Sequence, residues 1–488
     1  MKNRAVQLNA MEKTPFDILI VGGGIVGSGI ARDAAMRGLQ VCLIEQHDFA
    51  FGTSSRSSRL LHGGMRYLAQ GRLGLVREAS VEKKIIHQIA PHLAEPLAFI
   101  FPTYVENKQW RLWELMIGVK IYDLLCGGRN LGSSSWMGKA GTLEKVPALQ
   151  PDGLTGAVRY YDGFTNDARL VLDTLRSAAN HGATLFNYCR FENTTKGRGW
   201  ECDVTDVLLD EKRKICAQVV VNATGPWSDG LPHSCVKLRN TKGVHLVVER
   251  SRAPVPDTVV MTEGKRILFA IPWGDRTILG TTDTDYGRPP ETVSVEPEDV
   301  RYILQIANRF FPSAKLTNED IVSAWAGVRP LIADARGNPS DISRSHQIKN
   351  PEPGWWDVAG GKLTTYRLMA EQAVDKIVRT ANFKNATPCF TSVEPLLSPG
   401  ECEGISGILP PKVSRELVRH FCLNEWVVHV DDVMIRRSGW HYYYADAMQK
   451  AELVAEWIGE YFGWQQNERA AELERYRAAR AHLPGCLL

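Results

Sequence analysis

The chain has 488 residues, more than one hydrophobic core usually serves, so two or three domains are expected. Its composition, with 44% hydrophobic residues, 23% charged residues and 42 glycines, is typical of a soluble globular enzyme and excludes a disordered or fibrous chain. The formal net charge of +3 gives no reason to expect a nucleic-acid partner.

The ten cysteines are scattered along the chain, and no two of them form a C-x-x-C pair. This spacing argues against a metal site and against a disulfide framework. Residues 1–16 begin with basic side chains but lack the apolar segment of a secretory signal. No run of about 18 apolar residues follows. We therefore predict a cytoplasmic protein without a transmembrane helix or a bound metal.

Residues 17–45 have the pattern of a strand, a glycine turn, a helix and a second strand. Gly22, Gly24 and Gly27 fit G-x-G-x-x-G, in which the backbone approaches a pyrophosphate and the helix packs closely on the strand. The N-terminus of this helix favours the phosphates. The second strand ends at Glu45, the carboxylate expected to hold ribose hydroxyls. The pattern predicts a dinucleotide site; a turn that serves packing alone is the alternative.

The loop that follows, residues 47–71, contains too much serine, glycine and arginine for a core element. Its hydroxyls and glycines are suited to wrap a pyrophosphate or a flavin. The cationic and titratable side chains concentrated here are Arg56, Arg59, His62 and Arg66. His62 precedes two glycines that permit close backbone approach, and its imidazole titrates near neutral pH. We predict a ligand-facing loop, with a solvated basic loop as the alternative.

Two helices are predicted next. Residues 75–89 have the periodicity of an amphipathic helix. Residues 110–125, WRLWELMIGVKIYDLL, are more apolar than a surface helix should be, and their charges do not lie on one narrow face. Two interpretations of this second segment stay open: a buried core helix, or an interfacial membrane segment.

Strands and helices alternate up to residues 214–227, a valine-rich strand that runs into Gly225. We expect its end to return to the first glycine turn, where ligands of open parallel sheets bind. Residues 243–286 contain short strands without helices between them, which predicts an antiparallel layer that covers the substrate. Residues 355–367 repeat the strand, glycine turn and helix start. The chain beyond residue 395 is predicted to be helical.

Six motifs carry a family resemblance: GGGIVGSGIARDAAMRG, TSSRSSRLLHGGMRYL, NATGPW, IPWGDRTILGTTDTDY, AGVRPL and AGGKLTTYR. Together they resemble the membrane-associated, FAD-dependent glycerol-3-phosphate dehydrogenases. The resemblance covers residues 16–443, and the HGGxRYL and GGKLTTYR elements are far more specific than the glycine fingerprint.

The resemblance implies an α/β fold with a glutathione-reductase-like, Rossmann-type FAD-binding domain, an antiparallel β substrate cap and a C-terminal all-helical domain. We predict that the FAD-binding domain comprises residues 1–80, 150–235 and 325–388. The cap then comprises residues 81–149 and 236–324, and the helical domain residues 389–488.

The implied activity is oxidation of sn-glycerol 3-phosphate to dihydroxyacetone phosphate, with FAD accepting the hydride and a quinone accepting the electrons from FAD. The family also suggests peripheral contact with the inner face of the cell membrane and a homodimer. Three other functions are weighed: a dehydrogenase of another polyol phosphate such as erythritol phosphate, an FAD-dependent amine or amino-acid oxidase, and a flavin-free binding module.

The matching positions assign site residues. The cofactor set is Gly22, Gly24, Gly27, Glu45, Thr53, Ser54, Ser55, Gly225, Gly361, Lys362, Leu363 and Thr364. The residues that surround the substrate are Arg66, Tyr67, Arg329, Arg344 and Lys362. A phosphate dianion needs charge-assisted donors, and the fork of arginine binds it bidentately.

For Lys362 and Arg329 the resemblance leaves more than one role open. Lys362 is a candidate to bind phosphate, contact the flavin pyrimidine or tune the flavin, and a structural ion pair is the alternative for Arg329. One departure is visible: Arg59 stands where the family commonly has lysine, which alters the geometry.

Removing a hydride from a carbinol carbon requires that the hydroxyl proton leave to a base within hydrogen-bond reach. His62 is the first choice for this catalytic base because it lies in the motif that faces the flavin. His245, in KGVHLVV, is the second choice. A strand histidine packed for structural reasons is the alternative for His245.

Overall fold

The computed structural model describes residues 2–64, 72–107, 109–125, 131–333 and 346–480. The strands are β1 (Phe16–Val21), β2 (Val41–Ile44), β3 (Leu60–Leu61), β4 (Ala94–Tyr104), β5 (Ser135–Gly138), β6 (Leu154–Thr165), β7 (Thr184–Phe186), β8 (Cys189–Lys196), β9 (Trp200–Asp206), β10 (Glu211–Asn222), β11 (Leu238–Glu249), β12 (Thr258–Glu263), β13 (Arg266–Trp273), β14 (Arg276–Gly280), β15 (Thr284–Asp285), β16 (Ile321–Ile332), β17 (His346–Glu352) and β18 (Trp355–Gly360).

The helices are α1 (Lys2–Lys13), α2 (Ile25–Met36), α3 (Leu73–Ile89), α4 (Leu112–Leu125), α5 (Lys139–Lys145), α6 (Asp167–Asn180), α7 (Pro297–Phe310), α8 (Tyr366–Ala381), α9 (Pro399–Cys402), α10 (Arg415–Asn424), α11 (Trp440–Tyr443), α12 (Ala447–Phe462) and α13 (Gln466–Arg480).

The first sheet has the order β17-β18-β10-β1-β2-β7, with the hairpin β8–β9 attached to β10. Its central strands are parallel: β10, β1, β2 and β7 run alongside one another, and β18 joins β10 in the same direction. The strands β1 and β2 are almost wholly apolar because helices or further strands cover both faces. The predicted return of the strand at residues 214–227 to the glycine turn is confirmed, since β10 pairs with β1 from Ala217 to Asn222.

Helices α2, α6 and α8 cover one face of this sheet and share one apolar cluster with it, which includes Ile20, Ile30, Leu170 and Met369. The opposite face packs against α1 and the β8–β9 hairpin through Leu8, Met11, Trp200 and Val204. A parallel sheet buried in this way leaves its strand ends as the accessible edge, and ligands bind there.

The second sheet, called the cap sheet below, has the order β15-β11-β14-β13-β12-β4-β6-β3, with β16 beside β11 and β5 beside β6. Its described pairs are antiparallel except for β4 with β12. Helix α7 packs on one face through an apolar cluster that contains Ile303 and Phe310. The other face carries aromatic side chains, among them Phe99 and Tyr160. The predicted antiparallel cap layer is confirmed in this sheet.

Three strands of the cap sheet fall within the residue ranges predicted for the FAD-binding domain. Strand β6 pairs with β4 and with β3, and β16 pairs with β11, so all three belong to the cap sheet. The ranges 1–80, 150–235 and 325–388 contain β3, β6 and eight of the twelve residues of β16. The physical reason is that a strand's hydrogen-bond partner is distant in sequence, so the local pattern does not reveal which sheet it joins.

Helix α4, within residues 110–125, has one buried and one exposed apolar face. Leu115, Val119 and Tyr122 are buried against the cap sheet. The opposite face exposes Trp113, Ile117, Ile121 and Leu124 to solvent. Among the described residues no helix is long and apolar enough to cross a bilayer.

Beyond residue 395 the predicted helical domain is confirmed, with α10, α12 and the segment around Val433 sharing an apolar cluster. Buried ion pairs join it to the rest of the molecule. Arg169 of α6 pairs with Glu425 at 2.7 Å, and Asp48 pairs with both Arg436 and Arg437.

One buried histidine makes the helical domain sensitive to acid. His441 lies within 2.8 Å of the Tyr476 hydroxyl, and burial lowers the pKa of His441 to about 3. The unfolded chain takes up this proton below about pH 6.5, whereas the folded chain stays neutral until about pH 3. Stability is therefore lost as the pH falls through this window.

We expect the unfolding temperature of the wild type to fall between about pH 7 and about pH 5 more than that of His441→Gln, which cannot take up the proton. Thermal melts followed by circular dichroism at both pH values measure this. The exposed His181→Gln serves as the control and should behave as the wild type. Equal pH sensitivity of His441→Gln and wild type would contradict the assignment.

Candidate functional site

A cavity of about 720 Å³ lies between the strand ends of the first sheet and the aromatic face of the cap sheet. The first sheet contributes the ends of β1, β2 and β18, at Gly22, Glu45 and Gly360. The cap sheet contributes Phe99, Tyr160 and other residues of its inner face. This is the size and the position at which open α/β sheets bind cofactors.

The glycine turn between β1 and α2 leaves no room for side chains. Gly22 has φ +113°, and a Cβ there would lie 2.6 Å from the carbonyl oxygen of Ala223. A Cβ on Gly27 would lie 1.9 Å from the carbonyl oxygen of Gly22. Gly22 therefore seats β1 against β10, and Gly27 seats α2 against the turn. The main chain and the N-terminus of α2 are left facing the cavity.

Glu45 is half-buried at the end of β2 and lines the cavity. Its carboxylate accepts hydrogen bonds from the backbone N–H of Gly23 at 2.8 Å and of His47 at 2.9 Å. Burial raises the pKa of Glu45, although these donors oppose the rise. The carboxylate oxygens have further lone pairs with which to accept from ribose hydroxyls.

Residues 47–64 of the predicted ligand-facing loop, called the serine-rich loop below, join the two sheets at the cavity. The side chain of Ser54 accepts a hydrogen bond from the backbone N–H of Ile25 at 3.0 Å, and Thr53 donates to the carbonyl of Val328 in β16. Ser55 is buried and does not line the cavity. At the opposite end, the Thr364 hydroxyl donates to the carbonyl of His62 at 3.3 Å, which ties the HGG segment to the start of α8.

The structure brings most of the predicted cofactor set to the cavity: Gly22, Gly24, Glu45, Thr53, Ser54, Gly225, Gly361, Lys362, Leu363 and Thr364 all line it. Gly27 lies behind the turn, against the carbonyl of Gly22, where a side chain would not fit. A glycine turn at a helix N-terminus, a carboxylate beside it and a cavity of this size fit FAD.

His62 lies directly after β3 and lines the cavity. The next residue, Gly63, is anchored from behind, because its N–H donates to Asp162 at 3.1 Å. Lys83 donates to the same carboxylate oxygen at 2.8 Å, and the Tyr122 hydroxyl donates to it at 2.5 Å. A Cβ on Gly63 would lie 2.1 Å from this hydroxyl oxygen.

His245 is buried on β11 and is not among the described residues that line the cavity. Its ring stacks on Trp325 at 5.1 Å, and its Nε2 lies 2.8 Å from the hydroxyl of Ser58. Ser58 does line the cavity. Burial, reinforced by Arg329, lowers the pKa of His245 well below its ordinary value, so the ring is neutral at physiological pH.

Arg329 lines the cavity from β16. It donates to the Thr281 hydroxyl at 2.8 Å and to the carbonyl of Thr282 at 3.2 Å, and it lies 3.3 Å from Asp283. Lys362 lines the same cavity from the first sheet. Arg66, Tyr67 and Arg344 lie outside the described residues.

Arg56 and Arg59 of the serine-rich loop lie in different environments. Arg56 lines the cavity. Arg59 does not: it is buried, with its guanidinium 4.2 Å from the ring centre of Trp273 and 3.9 Å from Asp167. The alternative of a solvated basic loop is therefore wrong for Arg59. A planar guanidinium stacks on an indole better than an ammonium group does, which suits arginine to this position.

Several residues at the site belong to no sequence motif. Asp162 lines the cavity and holds Gly63, yet it lies in a stretch that has no motif. Arg266 and Tyr302 line the cavity from the cap. Their positions follow from strand pairing and from the packing of α7, which depend on contacts between residues distant in sequence.

Known proteins that resemble this chain agree with a cofactor site of this kind. Residues 17–375 match the family described as FAD dependent oxidoreductase. The aerobic glycerol-3-phosphate dehydrogenase of Bacillus subtilis is 39% identical over 400 residues, which is 80% of this chain and 72% of the relative. The enzyme of the same name from Staphylococcus aureus strain USA300 is 40% identical over 372 residues, 74% of this chain and 67% of the relative.

Among solved structures, the glycerol-3-phosphate dehydrogenase of Bacillus halodurans complexed with FAD superposes with a TM-score of 0.77 at 28% identity, covering 99% of this chain and 97% of that one. Glycine oxidase from Geobacillus kaustophilus, at 22% identity and a TM-score of 0.59, covers 78% of this chain and 98% of that one and shares the fold. The resemblance drawn from the motifs is thus confirmed: the chain belongs to the FAD-dependent oxidoreductases and, within them, to the aerobic glycerol-3-phosphate dehydrogenase family.

Proposed function

We propose that the protein oxidises sn-glycerol 3-phosphate to dihydroxyacetone phosphate. The observation that carries the proposal is one cavity in which a dinucleotide turn, His62, Arg329 and Lys362 meet. FAD, when bound, supplies a two-electron acceptor for hydride. The chain's own residues bind the phosphate, orient the carbinol and remove its proton.

Arg329 supports the phosphate-binding part of the proposal. Thr281 and the carbonyl of Thr282 hold its guanidinium at the cavity wall, and Asp283 lies 3.3 Å from it. Lys362 supplies a second cation from the opposite sheet. Arg66, Tyr67 and Arg344 stay predictions for the same phosphate.

His62 is proposed as the base that takes the hydroxyl proton, because it lines the cavity and its segment is held on both sides. His245 stays the second candidate. Its ring is neutral and bonds to Ser58, so Ser58 would have to relay the proton.

Arg329→Ala should raise the KM for sn-glycerol 3-phosphate by about 100-fold, since losing one charge-assisted phosphate contact costs roughly 2–5 kcal/mol. The measurement is anaerobic loss of flavin absorbance as substrate is added. Arg252→Ala is the matched control, because Arg252 is an exposed cap residue paired with Asp320. Unchanged flavin absorbance of the wild type at millimolar substrate would reject the proposed activity.

The same assay separates the alternatives. Competition between erythritol phosphate and sn-glycerol 3-phosphate identifies the preferred polyol phosphate. Hydrogen peroxide released in proportion to an added amino acid would favour an oxidase instead.

Gly63→Ala should lower kcat by about 100-fold while FAD stays bound, because the added Cβ collides with the Tyr122 hydroxyl and displaces the segment that carries His62. Stopped-flow reduction of the flavin measures this. Gly118→Ala in α4 is the control, since a Cβ there meets nothing within 4 Å. A normal rate for Gly63→Ala would show that the position of this segment does not govern the reaction.

We further propose that the exposed face of α4 rests on the cytoplasmic surface of a membrane, where a quinone would be the electron acceptor. Trp113 is 56% exposed and Leu124 is 79% exposed, and Ile117 and Ile121 lie between them on the same face. Trp110, just before α4, lines the cavity. An apolar helical face with a tryptophan is typical of interfacial binding. A homodimer stays a prediction from the family.

Ile117→Glu should abolish co-sedimentation with vesicles of anionic phospholipid, because it places a charge within the apolar face. Flavin reduction by substrate should be unchanged. Val393→Glu is the matched control, because Val393 is 75% exposed in a loop outside α4. Vesicle binding by Ile117→Glu equal to that of the wild type would rule out this surface.

A further inference from the structure

The loop that follows Glu45 is held by residues of the C-terminal helical domain. Asp48 is fully buried, and its carboxylate accepts hydrogen bonds from Arg436 and Arg437 of the C-terminal helical domain. It also accepts from the side-chain amide of Asn187 at 3.0 Å. Asp48 does not line the cofactor cavity, whereas Glu45 and Gln46 immediately before it do.

A second, apolar contact leads from the same domain to the glycine turn. Phe49 lies against Gly23: a Cβ on Gly23 would be 2.6 Å from the Phe49 ring. The far side of Phe49 packs edge-on against Trp426 of the helical domain, with ring centres 5.3 Å apart. The next residue, Ala50, donates its N–H to the carbonyl of Gly23 at 3.0 Å.

The charges at this junction are mutually paired. Arg436 lies 2.9 Å from Asp431 and 2.6 Å from Asp432, and Arg475 lies 3.0 Å from Asp431. Burial by itself would raise the pKa of Asp48, but Arg437 and Arg436 outweigh it and hold the pKa below its ordinary value. Asp48 is therefore ionised at neutral pH, and removing its charge takes away the one carboxylate that pairs with Arg437 among the described residues.

We propose that the C-terminal helical domain is a cofactor clamp, in which Arg436, Arg437 and Trp426 act as positioning residues that fix the loop at residues 45–51 and thereby set the affinity for the adenosine half of FAD. The helical domain contributes none of the described residues that line the cavity. Its effect on the cofactor is transmitted through Asp48 and Phe49 to Glu45 and Gly23, the two residues joined by a 2.8 Å hydrogen bond at the predicted ribose site.

Glu425 lies in the same interface as Asp48 and serves as the comparison for a residue whose role is purely structural. Glu425 is also fully buried, and it joins the helical domain to α6 through Arg169, at 2.7 Å. The ion pairs of its side chain with Arg169 and Arg176 lie outside the loop at residues 45–51, and it is its main-chain carbonyl, unchanged by substitution, that accepts from Arg437. Neutralising Asp48 or Glu425 removes one buried carboxylate charge from the same domain junction, but only Asp48 belongs to the cofactor loop.

The experiment compares Asp48→Asn with Glu425→Gln in the full-length holoenzyme. Release of FAD on dilution, measured by recovery of flavin fluorescence, gives the dissociation constant. Circular dichroism gives the unfolding temperature. ADP, added as a competitor during rebinding of FAD, reports on the adenosine half alone. No substrate is present, so the outcome is independent of the proposed activity.

We expect Asp48→Asn to raise the dissociation constants of FAD and of ADP by the same factor, about tenfold or more. Glu425→Gln should lower the unfolding temperature but leave both constants within about twofold of wild type. The proposal is overturned if the two variants weaken FAD equally, or if Asp48→Asn weakens FAD without weakening ADP.

A second pair of variants keeps the test decisive if Asp48→Asn does not fold. Trp426→Leu removes the apolar contact with Phe49 and should also weaken both FAD and ADP. Trp464→Leu alters a half-buried tryptophan packed in the same helical domain and should leave both unchanged. Unaltered ADP binding in Trp426→Leu would reject the clamp.

Discussion

The whole molecule depends on one close approach of main chain to main chain. The turn at Gly22 lies against Ala223 at the end of β10, and Gly27 seats α2 on that turn, with distances that exclude any side chain. Because β1, β10 and β18 are parallel neighbours, their ends meet at this point. That junction positions the cavity, the Glu45 carboxylate and the start of the serine-rich loop.

The cap sheet completes the site by bringing charge over this edge. Arg329 lines the cavity and donates to the Thr281 hydroxyl and to the carbonyl of Thr282, and Asp283 lies 3.3 Å from it. Lys83 and Arg59 are cations of another kind. They are buried against Asp162 and against Trp273, and they support the walls of the cavity. Burial and bonding partners thus distinguish Lys83 and Arg59, which support the cavity walls, from Arg329, which lines the cavity.

The helical domain is connected to the cofactor site by charge and by aromatic packing. A buried carboxylate that faces two guanidinium groups is costly to desolvate, and it is kept only where its geometry is well satisfied. Asp48 meets that condition through Arg436, Arg437 and Asn187. The loop between Glu45 and Ser54 is therefore fixed at its middle as well as at its ends.

The sequence by itself determined the strand, glycine turn and helix at residues 16–36, the carboxylate at Glu45 and the helical C-terminus, because these follow from apolar periodicity and from glycine sterics within a few residues. The motifs also identified Arg329, Lys362 and His62, which the tertiary structure brings to one cavity. Only the tertiary structure decided that β6 and β16 join the cap sheet, that Asp162 anchors Gly63, that His245 lies behind Ser58, and that Asp48 meets Arg436 and Arg437. Each of these contacts joins residues far apart in the chain, and local patterns carry no information about which distant partner a buried group meets.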